Sequence, residues 1–176
     1  SDLVLQVKLN GEWQKVESLV SNLGPSMQRG YDKAVSQFSR NLLAIVKKSL
    51  TLGIPPMGGG VTWQPLSPAT IERWGQHPIY NLTGLYSRSV GLYRYKSRVL
   101  IGLPIGTRRS SQKKLTLNQL AMMLEFGSSD GRIPPRPVWA PSLKAAGGKN
   151  KLKQLILTEI RKELQKYGVR PNQVKW

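Results

Sequence analysis

Residues 26–50, SMQRGYDKAVSQFSRNLLAIVKKSL, decide how this chain folds. Met27, Tyr31, Ala34, Val35, Phe38, Leu42, Ile45 and Val46 recur at helical spacing, so they fall in one apolar stripe of a 3.6-residue helix. Arg29, Lys33, Arg40 and Lys47 lie outside that stripe. A long helix with a single apolar face is the expected spine of a core.

On its N-terminal side, Leu3, Leu5, Val7 and Leu9 alternate with other residues, the pattern of a half-buried strand, and Asn10-Gly11 turns the chain. Trp13, Val16, Leu19, Val20 and Leu23 predict a short helix stopped by Gly24-Pro25. On its C-terminal side, residues 51–62 carry Pro55-Pro56 and Gly58-Gly59-Gly60 and predict a flexible loop. Ser67-Pro68 marks a helix start, because serine can cap and proline at the first helical position loses no needed N–H. Gly75 is its expected stop, and Thr83 the expected cap of a brief helix reaching about Val90. Residues 91–104 read as a hairpin, with Leu92, Tyr93 and Tyr95 on one strand, Val99 to Ile101 on the other, and both tyrosines facing the core. A basic loop follows over 104–114, then a helix from Leu115 to Phe126 ended by Gly127, with Phe126 expected in the core. The four prolines between Ser128 and Pro141 argue against regular helix there. A last helix over about 149–167 turns Leu152, Leu155, Ile156, Ile160 and Leu164 inward, with Gly168 as its stop. These elements predict an α+β fold: a small, mainly antiparallel sheet packed with the long N-terminal-half helix and the C-terminal helix. A single domain over 1–168 and a basic tail over 169–176 are expected.

Composition narrows the function classes. The chain carries 27 Lys and Arg against 9 Asp and Glu, a formal charge of +18 over 176 residues. Such an excess repels itself unless an anionic partner lies nearby, which points to nucleic acid, acidic protein or a membrane surface. The absence of cysteine excludes a disulfide framework, a thiol nucleophile and Cys-ligated zinc. No apolar run reaches the length of a membrane span and the N-terminus lacks a signal-peptide pattern, so no membrane is expected and synthesis in a reducing cytoplasm is.

Catalysis is hard to assemble from these residues. His77, the one histidine, precedes a proline in a loop and reads as a surface residue. The acids are scattered singly, so neither metal nor cofactor is expected. Glu125 and Asp130 are the one tempting carboxylate pair, but they flank a glycine turn and suit capping or salt bridging better than hydrolysis. Gly58-Gly59-Gly60 lacks the following Lys-Ser/Thr of a phosphate loop. The chain is therefore expected not to be an enzyme.

The basic residues are more informative. No acid lies between Glu72 and Glu125, yet nine cations do. Arg94, Lys96, Arg98, Arg108, Arg109, Lys113 and Lys114 are the candidate contacts, on the hairpin and in the loop after it. Phosphate would attract them without reading sequence. A surface facing acidic protein is the equal alternative, and no helix-turn-helix, zinc finger or RRM signature appears.

Three segments in this order resemble the virion-morphogenesis, or tail-completion, family of tailed-phage neck proteins. Trp63-Gln64-Pro65-Leu66-Ser67-Pro68-Ala69-Thr70 is similar to that family's W-x-P-L-S-P-A-T helix start. Thr83-Gly84-Leu85-Tyr86-Ser87-Arg88-Ser89-Val90 resembles its D-T-G-x-L-x-x-S-I turn, with Leu82 and Tyr86 as departures. Glu125-Phe126-Gly127-Ser128, leading to Pro134-Pro135-Arg136-Pro137-Val138, is similar to its E-F-G-T…P-A-R-P-F stretch, with Pro135 and Val138 departing. The resemblance implies structural roles for Trp63, Ser67, Pro68, Thr83, Gly84, Glu125, Phe126, Gly127, Pro134, Arg136 and Pro137. Arg136 is expected to bridge to Glu125 or to cross a subunit boundary, and the prolines to lead an extended segment into the last helix.

The function this implies is that of a structural virion protein, completing the tail or joining tail to head around the DNA channel. The implied partners are other neck and tail proteins (connector and tail terminator), copies of the chain itself in a ring such as a hexamer, and non-specific genomic DNA. The implied location is the head–tail junction, after synthesis in the bacterial host cytoplasm. The alternative is a basic, sequence-nonspecific nucleic-acid-binding protein.

Overall fold

A computed structural model describes residues 24–80, 83–95, 98–104 and 116–166. Among them the chain is α+β, with six helices and a two-stranded antiparallel sheet. The helices are α1 (Pro25–Leu52), α2 (Pro68–Trp74), α3 (Leu85–Ser89), α4 (Leu117–Phe126), α5 (Trp139–Ala145) and α6 (Gly148–Gln165). The strands are β1 (Gly91–Tyr95) and β2 (Arg98–Gly102). The expected strand over 3–9, the helix after it, Gly168 and the tail over 169–176 lie outside the described residues.

The chain divides into two compact units. In one, residues 25–40 of α1 pack with α6. Met27, Ala34 and Phe38 are buried from the first helix and Leu152, Ile156 and Ile160 from the second, each set at helical spacing. Gly30 makes the approach possible. A Cβ there would stand 2.7 Å from Ile160 Cα, so at this point one helix rests on the backbone of the other. Glu163, 3% exposed, closes the contact by pairing with Lys33 at 2.5 Å, Lys166 at 2.7 Å and Arg29 at 3.6 Å.

The other unit comprises residues 41–146 of the described chain. Leu42, Val46 and Leu50 of α1 are buried in it, with Tyr86, Val90, Leu117, Ala121, Val138 and Trp139. None of the hairpin residues whose side chains are described is buried, and the side chain of Tyr95 lies outside that set. Its register pairs Leu92 with Ile101 and Tyr93 with Leu100. Successive strand side chains point to opposite faces. The half-buried Leu92 and Ile101 take the inner one, leaving Tyr93 exposed rather than in the core.

Other expectations are corrected in the same unit. The glycine- and proline-rich stretch after α1 has no regular structure but is packed, with Pro56 and Gly59 buried. Gly59 lies so near α5 that a Cβ would come within 2.7 Å of Pro141 Cβ. The proline-rich stretch leads not into the last helix but into α5, which contains Pro141. Proline is admissible there because it stands in the first turn, whose amides have no partner within the helix. Phe126, at the end of α4, is 66% exposed and is no part of the core.

Candidate functional site

The segments that carry the resemblance meet in one place. Ser67 caps α2, its hydroxyl accepting the Thr70 amide at 3.2 Å, with Pro68 at the helix start and Gly75 at its end. The approach to that cap, over 61–67, is neither helix nor strand, so its carbonyls need partners from elsewhere. Arg136 provides them: Nε donates to the Gln64 carbonyl at 2.9 Å and a terminal nitrogen to that of Pro65 at 3.0 Å. In the opposite direction the Trp63 indole donates to the Pro137 carbonyl at 3.1 Å.

Tyr80 and Tyr86 extend this lacing to the Thr83-Gly84 segment. The Tyr80 hydroxyl donates to the Arg136 carbonyl, and its ring lies between Trp63 (centroids 5.2 Å apart) and Tyr86 (5.5 Å). Tyr86 is buried, and the Trp139 side chain favours its ionised form against the cost of burial. Burial pushes both phenols well above the ordinary tyrosine value, so both stay neutral. The cap of α3 is Gly84, in the left-handed region, and not Thr83. The exposed Thr83 accepts the Leu85 amide on its hydroxyl at 3.4 Å and the Arg88 guanidinium on its carbonyl at 3.0 Å.

Glu125 ties the end of α4 to the start of α5. Its carboxylate accepts the amides of Val138 at 2.7 Å and Trp139 at 3.1 Å. Val138, the residue at the cap of α5, offers no side-chain acceptor, so Glu125 does from across the loop what a capping serine does locally. Burial raises the pKa of Glu125, and the two amides oppose that rise. Arg136 does not bridge to this carboxylate, the first of the two roles expected of it. Its guanidinium is spent on carbonyls, and burial lowers its pKa.

Gly127 makes the turn that brings these ends together. With φ at +83°, it sits where a Cβ would be 3.0 Å from the Ile133 carbonyl oxygen. Beyond it, Asp130 accepts from the Ser128 hydroxyl at 2.5 Å and the Arg132 amide at 3.1 Å, a local turn separate from Glu125. Pro134 and Pro137 are half-buried along the same segment. Sequence reasoning missed Tyr80, Trp139 and the paired amides. Tyr80 has a positive φ of 69°, the one described non-glycine residue that does, and no residue type announces that in advance.

What this arrangement does is bind main chain. Charged and aromatic groups from distant stretches each satisfy a backbone carbonyl or amide of another stretch. Among the described residues no three His, Asp or Glu side chains gather into a group able to hold a metal ion. His77 lies in the loop after α2, with its Nδ1 2.9 Å from the Pro78 carbonyl oxygen.

The candidate basic contacts are not brought together within what the structure describes. Arg94 is exposed on β1. Lys96, Arg108, Arg109, Lys113 and Lys114 lie outside the described residues, as does the side chain of Arg98. Among the described residues no helix is long and apolar enough to cross a membrane. No protein-family model, curated protein or solved structure matches the chain.

Proposed function

We propose that this chain is a structural virion protein of the tailed-phage neck, completing the tail or joining tail to head around the DNA channel as part of a ring of its own copies. The observation that carries the reading is the clasp. The three segments of the resemblance meet in one part-buried network, through Trp63 on Pro137, Arg136 on Gln64 and Pro65, and Tyr80 beside Tyr86. Residues spent on holding backbone to backbone suit a part that must keep its shape in an assembly. In this reading the residues carry no catalytic role, and connector and tail-terminator proteins are its neighbours. The charge of +18 faces their acidic surfaces or the DNA in the channel.

The test is the particle. Antibody against the chain should label the junction of head and tail in micrographs of virions released from its host, and depletion of the chain should leave heads and tails unjoined. Virions that lack the chain and yet infect would overturn the reading. Replacing Arg94, Lys96, Arg98, Arg108, Arg109, Lys113 and Lys114 with Gln separates the kinds of contact. Losses spread evenly over the set, with duplex binding that falls steeply with salt, indicate phosphate. Losses concentrated in one or two residues indicate a protein interface.

A further inference from the structure

Helix α2 is an anomaly of packing. None of its seven residues is buried, which leaves such a short helix little reason to hold its place. Yet both flanks are pinned. Before it, Arg136 holds the carbonyls of Gln64 and Pro65. After it, Ile79 lies against Gly53 so closely that a Cβ on Gly53 would fall 2.2 Å from the Ile79 nitrogen. The helix is thus held out as a fixed projection. It presents Ile71 and Trp74, three residues apart and therefore on one side, the tryptophan 47% exposed with Arg73 stacked 5.1 Å from its ring centroid.

Elsewhere on the same unit is a matching depression. A groove of about 130 Å³ is lined by Ile45, Ile54, Pro55, Pro56 and Met57, with Lys48 at its edge and Met57 73% exposed. A cavity of roughly 150 Å³ admits a benzene ring, so this one suits a single aliphatic or aromatic side chain.

Charge selects the occupant. Residues 41–146 hold three acids, Glu72, Glu125 and Asp130. Glu125 is buried on amides and Asp130 is tied to Arg132 and Ser128. Glu72 is exposed, makes no ion pair among the described residues, and follows Ile71 on α2, on the flank of the helix away from Trp74. It is the counterpart of a lysine beside an apolar groove, and Lys48 is that lysine.

We propose that α2 of one copy docks into the Ile45–Met57 groove of a second copy, Ile71 entering the groove, Trp74 covering the exposed Met57 at its rim, and Glu72, on the other flank of the helix, meeting Lys48. This deepens the proposed function and rests on its ring of copies, since projection and groove are different surfaces and contacts of that kind build rings when the rotation closes. The net charge opposes such association, so the apolar contact must supply its strength. Raised salt, which screens the general repulsion, should strengthen assembly while it weakens any binding to DNA.

The experiment is sedimentation velocity on the full chain at micromolar concentration, in low and high salt. The wild type should sediment as an assembly larger than a dimer, more completely in high salt. Trp74→Glu and Met57→Glu remove no buried side chain and should keep the wild-type melting temperature, yet each alone should be monomeric. Mixed, they should form a dimer and nothing larger, because one keeps a groove and the other a projection. Glu72→Lys should weaken assembly at least tenfold, and Lys48→Glu in the same chain should restore it. A monomeric wild type, or a Trp74→Glu chain that assembles as the wild type does, would overturn the proposal. Assembly that behaves as described in a chain absent from virions would instead retain this contact and remove the neck reading.

Discussion

Glu125 and Arg136 are opposite in charge and both buried, and they do not pair with each other. The carboxylate holds the amides of Val138 and Trp139, and the guanidinium holds the carbonyls of Gln64 and Pro65. Had they paired, each would have satisfied one side chain and left four main-chain groups without partners. Spent separately, the two charges hold three stretches of chain together. Ionised groups also make the stronger kind of hydrogen bond to main chain.

Removing the carboxylate should therefore leave two amides orphaned. Leaving a buried donor unsatisfied costs about 1–3 kcal/mol. Glu125→Ala should lower the unfolding free energy measured in urea by an amount at the upper part of that range or beyond, and Glu125→Gln, which keeps one acceptor, by less. The pH dependence has a definite sign. Burial raises the Glu125 pKa above its ordinary 4.5, so the folded chain holds this proton more tightly than the unfolded chain. Its contribution to stability grows as pH falls from that raised value towards 4.5 and is constant below. The wild type should gain on Glu125→Gln over that interval. A difference independent of pH would mean the carboxylate is not desolvated.

Gly30 tests the other unit. A Cβ at that position meets Ile160 Cα at 2.7 Å and Ile160 N at 2.8 Å, backbone atoms that cannot swing aside as a side chain would. Gly30→Ala gains about 1 kcal/mol of helix propensity. It loses about 1–3 kcal/mol to overpacking, because the two helices must separate to admit the methyl group. The expected outcome is a lower melting temperature, measured by the loss of helical circular dichroism. A rise would show that the crossing has slack.

Phe126→Ala should leave stability within about 0.5 kcal/mol of the wild type, as exposed substitutions generally do. Trp139→Ala, at 8% exposure, should cost about 3–5 kcal/mol. Thermal melting of the two variants side by side checks both values.

Phe126 also shows where reading the sequence stops working. Local rules located the Ser67 cap, the Pro68 start and the glycine stops at 75 and 127, because each depends on residues within one turn of helix. Periodicity located the stripes of α1 and α6 for the same reason. An aromatic at the last position of a helix carries no such signal. The helix face it occupies is set by how α4 meets distant residues. Pro141 misled in the same way: read as a breaker, it stands in the first turn of α5, whose cap comes from Glu125 on another helix. The site was legible as a set of residues, but its pairings, Arg136 with Gln64 and Trp63 with Pro137, join positions about 70 apart and follow no local rule.

Glu163 should make the helix pair sensitive to acid. Hydrogen bonds from Lys166 and then Lys33 outweigh its desolvation and lower its pKa from 4.5 to about 2. The folded chain thus binds this proton more weakly than the unfolded chain. The stabilising contribution is complete above 4.5 and is lost as pH falls through about 2. Lys33 carries the other half of the same linkage. Its pKa is raised above 10.5, first by the hydrogen bond to Glu163, so its contribution is complete below 10.5 and is lost as pH rises through the raised value. Between these limits Glu163→Gln should be less stable than the wild type by a constant amount. Below 4.5 the difference should shrink, vanishing under about 2. Lys33 and Lys166 are each more than half exposed, so salt screens their attraction and the difference should also narrow as salt is raised. Urea unfolding of both chains at pH 7, 4 and 2, with and without high salt, measures each part. A wild type that keeps its advantage at pH 2 would show that Glu163 acts through shape and burial rather than charge.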